Sequence, residues 1–298
     1  MQRRQGRISR GAMTMMVATA VGLASQNAGA FCRSTTCDAR STTCPTDQNG
    51  CPAQGAPLSW RELPLVYRFH APGSDKLDMD RAKEAVRRAF QTWSNVSCKG
   101  KRTSLRFEEG SNIPGKTPLV GAGPAKVSFG VYFRDEEWPY DDGDESLALT
   151  NQKYGLINGY IDYSDIEINT SARDFALADD EKGIDLQAVL THEVGHYIGL
   201  AHSSVATSIM VSSYCQSGER CGTSIDEARS LDDDDIAAVC ALYPASGIAG
   251  VAYEDPGAGG CSTSAARPAT GRSSSMPATF GVLAGLALAI AARARRRA

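Results

Sequence analysis

The sequence predicts one domain of the α/β or α+β class over about residues 57–245, because short strand-like segments are interspersed there with a few long helical patterns. In the helical patterns, at about 78–93, 185–197 and 232–243, apolar side chains recur at three- and four-residue steps. The segments between them have the composition and alternation of strands. The predicted strands are 63–69, 104–107, 127–133, 147–150 and 160–168.

The predicted helices have recognisable ends. Asp78 or Asp80 precedes the first helix and Asp185 the second, where an aspartate side chain accepts hydrogen bonds from unpaired backbone N–H groups. Gly199 interrupts the second helix, and Pro244 stops the third because proline cannot continue a helix. The domain is therefore expected to end near residue 245.

Both ends of the chain have the composition of addressing segments. Residues 1–30 combine a basic start, an apolar stretch at 12–24 and small residues at 28–30, the pattern of a secretory signal peptide. Cleavage after this segment leaves Phe31 as the first residue. We therefore expect ordinary export, to a secreted or cell-surface location.

The C-terminal end contains a second candidate addressing segment. Residues 246–275 are rich in Gly, Ala, Ser, Thr and Pro, as in a flexible linker. Residues 276–298 contain an uncharged apolar stretch at 277–292, followed by four arginines. This stretch is shorter than the ~20 residues that usually span a bilayer, but arginine collects on the cytoplasmic side of membranes. The tail is therefore predicted to contact a membrane.

Nine cysteines in an exported chain predict disulfides, because extracytoplasmic compartments are oxidising. Residues 31–56 form a Cys-rich extension without helical or strand periodicity. Many pairings are open, although Cys215 and Cys221 are close enough to close one loop, and Cys261 stands apart. The other cysteines are Cys32, Cys37, Cys44, Cys51, Cys98 and Cys240.

The net charge of −3 conceals an acidic body between two basic ends. Residues 31–261 contain all 34 acidic residues but only 21 of the 31 basic ones, a net charge of −13 for that region. Such a surface repels phosphate backbones, so nucleic acid is excluded as a partner. Calcium binding, a cationic substrate face and a plain solvated surface remain open.

The stretch HEVGHYIGLAH at 192–202 is a complete HExxHxxGxxH pattern and uses three of the four histidines. On a helix, His192 and His196 lie on one face and can direct both imidazoles at one ion. Gly199 lets the chain leave the helix, so that His202 can supply a third ligand. Three protein ligands leave one coordination position for water, as in a catalytic zinc site.

Glu193 lies beside the predicted metal and is the candidate general base. Zinc lowers the pKa of bound water from about 15.7 to about 7, so a carboxylate can take its proton as the water attacks a carbonyl carbon. The same group then protonates the leaving amine. The predicted activity is peptide-bond hydrolysis. The alternative hypothesis is a non-catalytic surface recognition module that keeps the zinc as a scaffold.

Over about residues 58–244 the chain resembles the matrixins, the metzincin zinc peptidases of the matrix metalloproteinase type. The sequence SIM ending at Met210 is similar to the family's Met-turn, which implies that Met210 lies beneath the metal without ligating it. Tyr214 matches a residue that walls the family's S1′ pocket. Asp234 and Asp235 match two aspartates that brace the Met-turn region and the mature N-terminus.

The resemblance also implies an α+β metzincin fold: a twisted, mostly parallel sheet with an antiparallel edge strand, an active-site helix and a C-terminal helix. In the family, the edge strand above the metal pairs with extended peptide substrate, and residues 147–150 are the candidate for that strand. Protein or peptide substrates are therefore the expected partners.

Two features of animal matrixins are missing. Leucines at 147–149 stand where a histidine of the second, structural zinc is expected, so we predict one catalytic zinc. The propeptide cysteine switch is also absent, although a switch role for a cysteine within 32–51 stays open beside disulfides. An acidic cluster at 135–145 is either a calcium site, as is common in the family, or a solvated loop.

The tail resembles the myxobacterial type of C-terminal sorting signal, with Gly259-Gly260-Cys261, a short apolar segment and an Arg-rich end. The resemblance implies a temporary membrane anchor, with Cys261 marking the position of processing or attachment. A permanent weak anchor is the alternative.

Overall fold

The computed structural model describes residues 31–37, 44–115, 129–140, 146–177, 183–213 and 228–249, and these residues contain nine strands and three helices. The helices are α1 (Met79–Ser94), α2 (Leu186–Tyr197) and α3 (Asp233–Leu242). The strands are β1 (Leu65–Phe69), β2 (Ser97–Cys98), β3 (Lys101–Arg102), β4 (Phe107–Glu109), β5 (Gly130–Phe133), β6 (Ala148–Tyr154), β7 (Ile161–Ile168), β8 (Phe175–Ala176) and β9 (Ile184–Asp185).

Five of the strands form one mixed sheet in the order β4-β1-β5-β7-β6. The pairs β1–β4, β1–β5 and β5–β7 are parallel, whereas β6 runs antiparallel to β7 along its whole length. The α+β prediction, with a mostly parallel sheet and an antiparallel edge strand, is confirmed. The predicted edge strand at 147–150 is the first part of β6, which continues to Tyr154.

One predicted strand is displaced. The segment expected at 104–107 enters the sheet only at Phe107. Just before it, the Ser104 backbone N–H and the Thr103 hydroxyl both donate to the carbonyl of Tyr243, which ties this part of the chain to the end of α3. Tertiary hydrogen bonds therefore replace the sheet ladder there. The two-residue strand pairs β2–β3 and β8–β9 were not predicted, because two residues carry no periodicity.

The first helix packs against α2. Its N-cap, Asp78, accepts hydrogen bonds from the backbone N–H groups of Asp80 and Arg81. Its buried face follows the predicted apolar spacing and ends in Trp93, whose indole Nε1 donates to the Thr191 carbonyl in α2 at 2.7 Å. The hydrogen bond fixes α1 to the middle of α2.

Every residue of α2 except Gln187 is buried, so the helix is not amphipathic and its C-terminal carbonyls cannot reach water. Side chains from distant elements supply their hydrogen bonds. The His196 carbonyl accepts from Gln152 of β6 at 2.8 Å, and the Tyr197 carbonyl accepts from Trp60 at 2.8 Å. The Ile198 carbonyl accepts from the hydroxyl of Tyr243 at 2.6 Å. The end of α2 is therefore held by three separate parts of the chain.

The chain turns sharply at Gly199, where φ is +102° and a Cβ would lie 2.9 Å from the Leu58 carbonyl oxygen. Only glycine adopts this backbone without strain. The N-terminal extension packs against the same turn, because the backbone N–H of Ser34 donates to the Gly199 carbonyl and the Ala201 N–H donates to the Cys32 carbonyl. The Cys-rich extension is thus part of the domain's packing.

Three disulfides join six of the cysteines: Cys32–Cys51, Cys37–Cys44 and Cys98–Cys240. The first two lie within the extension, and the third links β2 to α3. All four cysteines between 32 and 51 are therefore paired, which excludes the cysteine-switch alternative for them. Cys215, Cys221 and Cys261 lie outside the described residues. None of the described helices is long and apolar enough to cross a membrane.

Gly195 lies in α2 where the helix passes Met210 and Trp93. A Cβ on Gly195 would lie 2.2 Å from the Met210 Sδ and 2.9 Å from Trp93 Cζ2. The missing side chain therefore lets Met210 pack directly against the turn of α2 between His192 and His196.

The Cys98–Cys240 bridge is predicted to contribute more stability than the Cys37–Cys44 bridge within the extension. It joins residues 142 positions apart, whereas Cys37 and Cys44 are 7 apart. Loop-closure entropy gives about 5 kcal/mol for the long loop and about 2.5 kcal/mol for the short one. Replacing each pair with alanines and measuring the free energy of unfolding tests this. Equal losses would contradict the loop-length explanation.

Gly195→Ala is expected to reduce the free energy of unfolding by about 1–3 kcal/mol, because the new methyl group overpacks the contact with Met210 and Trp93. Chemical unfolding of the purified domain measures this loss. In a Met210→Ala background the same change should cost less, because the closest contact is gone. An equal cost in both backgrounds would show that the Met210 contact does not constrain Gly195.

Candidate active site

The structure brings three imidazoles of the sequence motif together beneath β6. The nitrogen ligand atoms of His192, His196 and His202 all lie within 4.8 Å of one another, and the Nε2 atoms of His192 and His196 are 3.0 Å apart. The first two side chains project from α2, and the third follows the turn at Gly199. Within the described residues, these three histidines are the one group of three or more His, Cys, Asp or Glu side chains whose ligand atoms lie this close together.

Backbone carbonyls orient two of the three rings. The Nδ1 of His192 lies 2.6 Å from the Ile209 carbonyl oxygen, and the Nδ1 of His196 lies 2.9 Å from that of Leu200. A carbonyl oxygen only accepts, so Nδ1 carries the proton in each ring and Nε2 presents a lone pair to the common centre. Two facing lone pairs repel each other, and a cation between them removes the repulsion.

The third ring fits the same cation. The Nε2 of His202 is buried, and it has no hydrogen-bond partner within the described chain. Burial lowers the pKa of His196 to about 4. Burial, followed by the neighbouring His196 and His192, lowers the pKa of His202 as well. The two rings are therefore neutral at physiological pH, which is the form that binds a metal.

Glu193 follows the first histidine in α2 and is 1% exposed. Its Oε2 accepts a 2.6 Å hydrogen bond from the hydroxyl of Thr150, and its backbone carbonyl lies 3.0 Å from the same hydroxyl. Burial raises the pKa of Glu193 to about 7, and the hydrogen bond from Thr150 opposes the rise. A buried carboxyl with a pKa near neutrality is suited to exchanging protons.

Two polar residues join β6 to α2 through side-chain contacts that the sequence did not predict. Thr150 and Gln152 are two positions apart, so they share the face of β6 that packs on the helix, and both are buried. The residue between them, Asn151, points to the opposite face, where it donates to Tyr140 and Glu167. A buried polar residue in a predicted strand signals that a partner exists, but the sequence does not say which.

The two aspartates of α3 hold the loop that follows the third histidine. Asp235 accepts from the Ser208 hydroxyl at 2.6 Å and from the Ile209 backbone N–H at 2.8 Å. Asp234 accepts from the Ser203 hydroxyl at 2.8 Å. Because the Ile209 carbonyl orients His192 while the Ile209 N–H donates to Asp235, α3 is coupled to a histidine of the site through a single residue.

Met210 is 2% exposed and packs against Gly195 of α2, on the side of the helix that carries the histidines. The role of Met210 as a hydrophobic floor under the metal stays a prediction. Tyr214, the candidate wall of the S1′ pocket, lies outside the described residues, as does Cys261.

The N-terminal extension reaches the site through the Leu200 carbonyl. This oxygen accepts from the Ser34 hydroxyl at 2.9 Å while it also orients the Nδ1 of His196. A carbonyl has two lone pairs, so both bonds form together. The sequence did not predict this contact, because it joins the extension to a backbone atom 166 residues away.

In the described part of the acidic cluster, the Asp135 carboxylate is hydrogen-bonded to protein groups. Asp135 accepts from the Ser74 hydroxyl, from the Asp75 backbone N–H at 2.7 Å and from the Thr170 hydroxyl. The neighbouring carbonyl of Thr170 accepts from the Lys76 ammonium at 2.7 Å. The other acidic residues at 141–145 lie outside the described ranges, so calcium binding there stays a prediction.

Comparison with known proteins agrees with this geometry. The matrixin (Peptidase_M10) family model matches residues 59–244. Matrix metalloproteinase-C of Caenorhabditis elegans is 30% identical over 186 residues. The hatching enzyme of Paracentrotus lividus is 30% identical over 187 residues, and the interstitial collagenase of Bos taurus is 30% identical over 186.

Each of these alignments covers 62% of the chain, but the chain spans only 29%, 26% and 32% of the three relatives. The region that the family model matches includes the sheet, the three helices and the histidine cluster. Matrixins use a catalytic zinc, and the three imidazoles form a site able to bind that metal. The chain belongs to the matrixin family of zinc metalloendopeptidases.

Proposed function

We propose that this chain is an exported zinc endopeptidase that cleaves peptide bonds with Glu193 as its general base and His192, His196 and His202 as its metal ligands. The observation that carries the proposal is a buried carboxylate on α2, directly beside three converging imidazoles. One of these imidazoles has a buried nitrogen with no partner in the described chain. Burying a carboxylate is energetically unfavourable, and a zinc site that served only as a scaffold would not need a carboxylate there.

Zinc, when bound, polarises a substrate carbonyl and lowers the pKa of a water molecule at the site. The protein's own groups perform the remaining steps. Glu193 takes a proton from the attacking water and later transfers it to the leaving amine. The carbonyls of Ile209 and Leu200 keep Nδ1 protonated in two of the imidazoles, so that their Nε2 atoms stay available.

The proposed substrate is an extended segment of a protein or peptide. On the side away from β7, β6 has no neighbouring strand among the described residues, so its edge can pair with an extended backbone. The strand contacts the active-site helix through Thr150 and Gln152. A substrate paired with this edge therefore lies next to Glu193. We assign Met210 to the floor of the site and Tyr214 to the wall of the S1′ pocket.

The proposed domain organisation follows the sequence. Residues 1–30 are a signal peptide, 31–56 a Cys-rich extension, 57–245 the catalytic domain, 246–275 a linker and 276–298 a sorting tail that anchors the protein, at least transiently, in a membrane. The three disulfides support an oxidising, extracytoplasmic location for the domain.

Glu193→Ala is expected to leave one zinc bound while reducing the hydrolysis of casein or a peptide library by about 10²- to 10⁴-fold, because the general base is lost. Zinc content and turnover are measured on the same preparation. Glu108→Ala, which removes an exposed carboxylate from β4 at the opposite edge of the sheet, is the matched control and should be fully active. Unchanged turnover in Glu193→Ala would rule out this base.

Mass spectrometry of the protein recovered from producing cells is expected to show Phe31 at its N-terminus and a C-terminus shortened at or near Cys261. Cys261→Ala should retain the tail if this cysteine marks the processing position. An intact Arg297 on surface-exposed protein would contradict the sorting role, and a retained residue 1 would contradict signal cleavage.

A further inference from the structure

Thr150 is the protein group that holds the proposed base. Its hydroxyl lies 2.6 Å from the Oε2 of Glu193, and both residues are buried, with 4% and 1% of their surfaces exposed. The hydroxyl belongs to the edge strand, whereas the carboxylate belongs to the active-site helix. The contact therefore joins the proposed substrate-pairing element to the proposed catalytic element.

The two carboxylate oxygens of Glu193 have different surroundings. Oε2 accepts from Thr150, and within the described chain no protein group donates to Oε1. A hydroxyl has one proton, and an ionised carboxylate is a stronger acceptor than the peptide carbonyl 3.0 Å away. The proton is therefore directed to Oε2, which leaves Oε1 available to the reacting water.

The side chain of Thr150 is itself held in place. The residue pairs with Ile166 of β7 inside the antiparallel ladder, and its face of β6 is packed on α2. A β-branched side chain has few χ1 rotamers, so a hydroxyl on such a residue is fixed more firmly than one on serine. By contrast, a glutamate has three rotatable bonds and depends on such a contact to stay in one orientation.

We propose that Thr150 is a positioning residue for catalysis, whose hydroxyl anchors Oε2 of Glu193 so that Oε1 faces the site. This inference rests on the proposed role of Glu193. Thr150 does not touch the substrate carbonyl and acts only through the carboxylate. If the residue served packing alone, valine, which has the same shape, would replace it without loss of turnover.

The test compares Thr150→Val, Thr150→Ser and Glu193→Ala in the full-length, zinc-loaded protein. We expect Thr150→Val to lower kcat by about 10- to 100-fold with little change in KM, the effect of losing one hydrogen bond to a charged group. Thr150→Ser keeps the hydroxyl and should recover kcat to within about threefold of the parent. Zinc content should stay at one equivalent in all three variants.

Thr103→Val provides a matched control, because it also removes a buried hydroxyl, one that donates to the Tyr243 carbonyl and not to Glu193. This control should unfold at lower denaturant concentration but keep the parental kcat. Unfolding midpoints of all variants separate a loss of folded protein from a loss of turnover.

The outcomes distinguish the two proposals. A Thr150→Val protein with parental kcat, or a Thr150→Ser protein as slow as Thr150→Val, overturns the positioning role. If Glu193→Ala is inactive in either case, the role of Glu193 as general base is supported and only the positioning role of Thr150 is lost. A Glu193→Ala protein with unchanged turnover overturns the role of Glu193 as general base in the proposed function, and the Thr150 inference with it.

Discussion

The structure depends on the burial of α2, a helix that carries charged and metal-binding side chains through the middle of the domain. Such a helix is stable only if its polar groups find partners away from water. Trp93 donates a hydrogen bond to a carbonyl in the middle of α2. The side chains of Gln152, Trp60 and Tyr243 donate to the carbonyls at its C-terminal end. The sheet, α1 and the segment after α3 each supply some of these hydrogen-bond donors. The packing of the domain and the geometry of the site therefore depend on the same hydrogen bonds.

Two peptide carbonyls connect the rest of the molecule to the histidines. The Ile209 carbonyl orients His192, and its own peptide chain is held by Asp235 of α3. The Leu200 carbonyl orients His196 and also bonds Ser34 of the disulfide-linked extension. The extension and the C-terminal helix, which are far apart in sequence, therefore each contact a residue whose carbonyl orients an imidazole of the site.

The edge strand β6 separates two polar environments by the alternation of its side chains. Thr150 and Gln152 face α2, whereas Asn151 faces Glu167, which also pairs with Arg134 at 2.6 Å. A one-residue shift of register would exchange these faces and remove both contacts to α2. The position of the proposed base is therefore tied to the register of the strand that is expected to bind substrate.

The sequence by itself determined the class of fold, the three helices and the histidine motif, because helical periodicity, N-caps and ligand spacing are local properties. Asp185 caps the start of α2 with its side chain, and Gly199 follows the end of α2 with the positive φ that glycine adopts readily. Only the tertiary structure decided the strand order, the disulfide pairs and the partners of Thr150, Gln152 and Ser34. These contacts join residues 43, 44 and 166 positions apart, and no local pattern specifies which distant atom fills a buried hydrogen-bonding position.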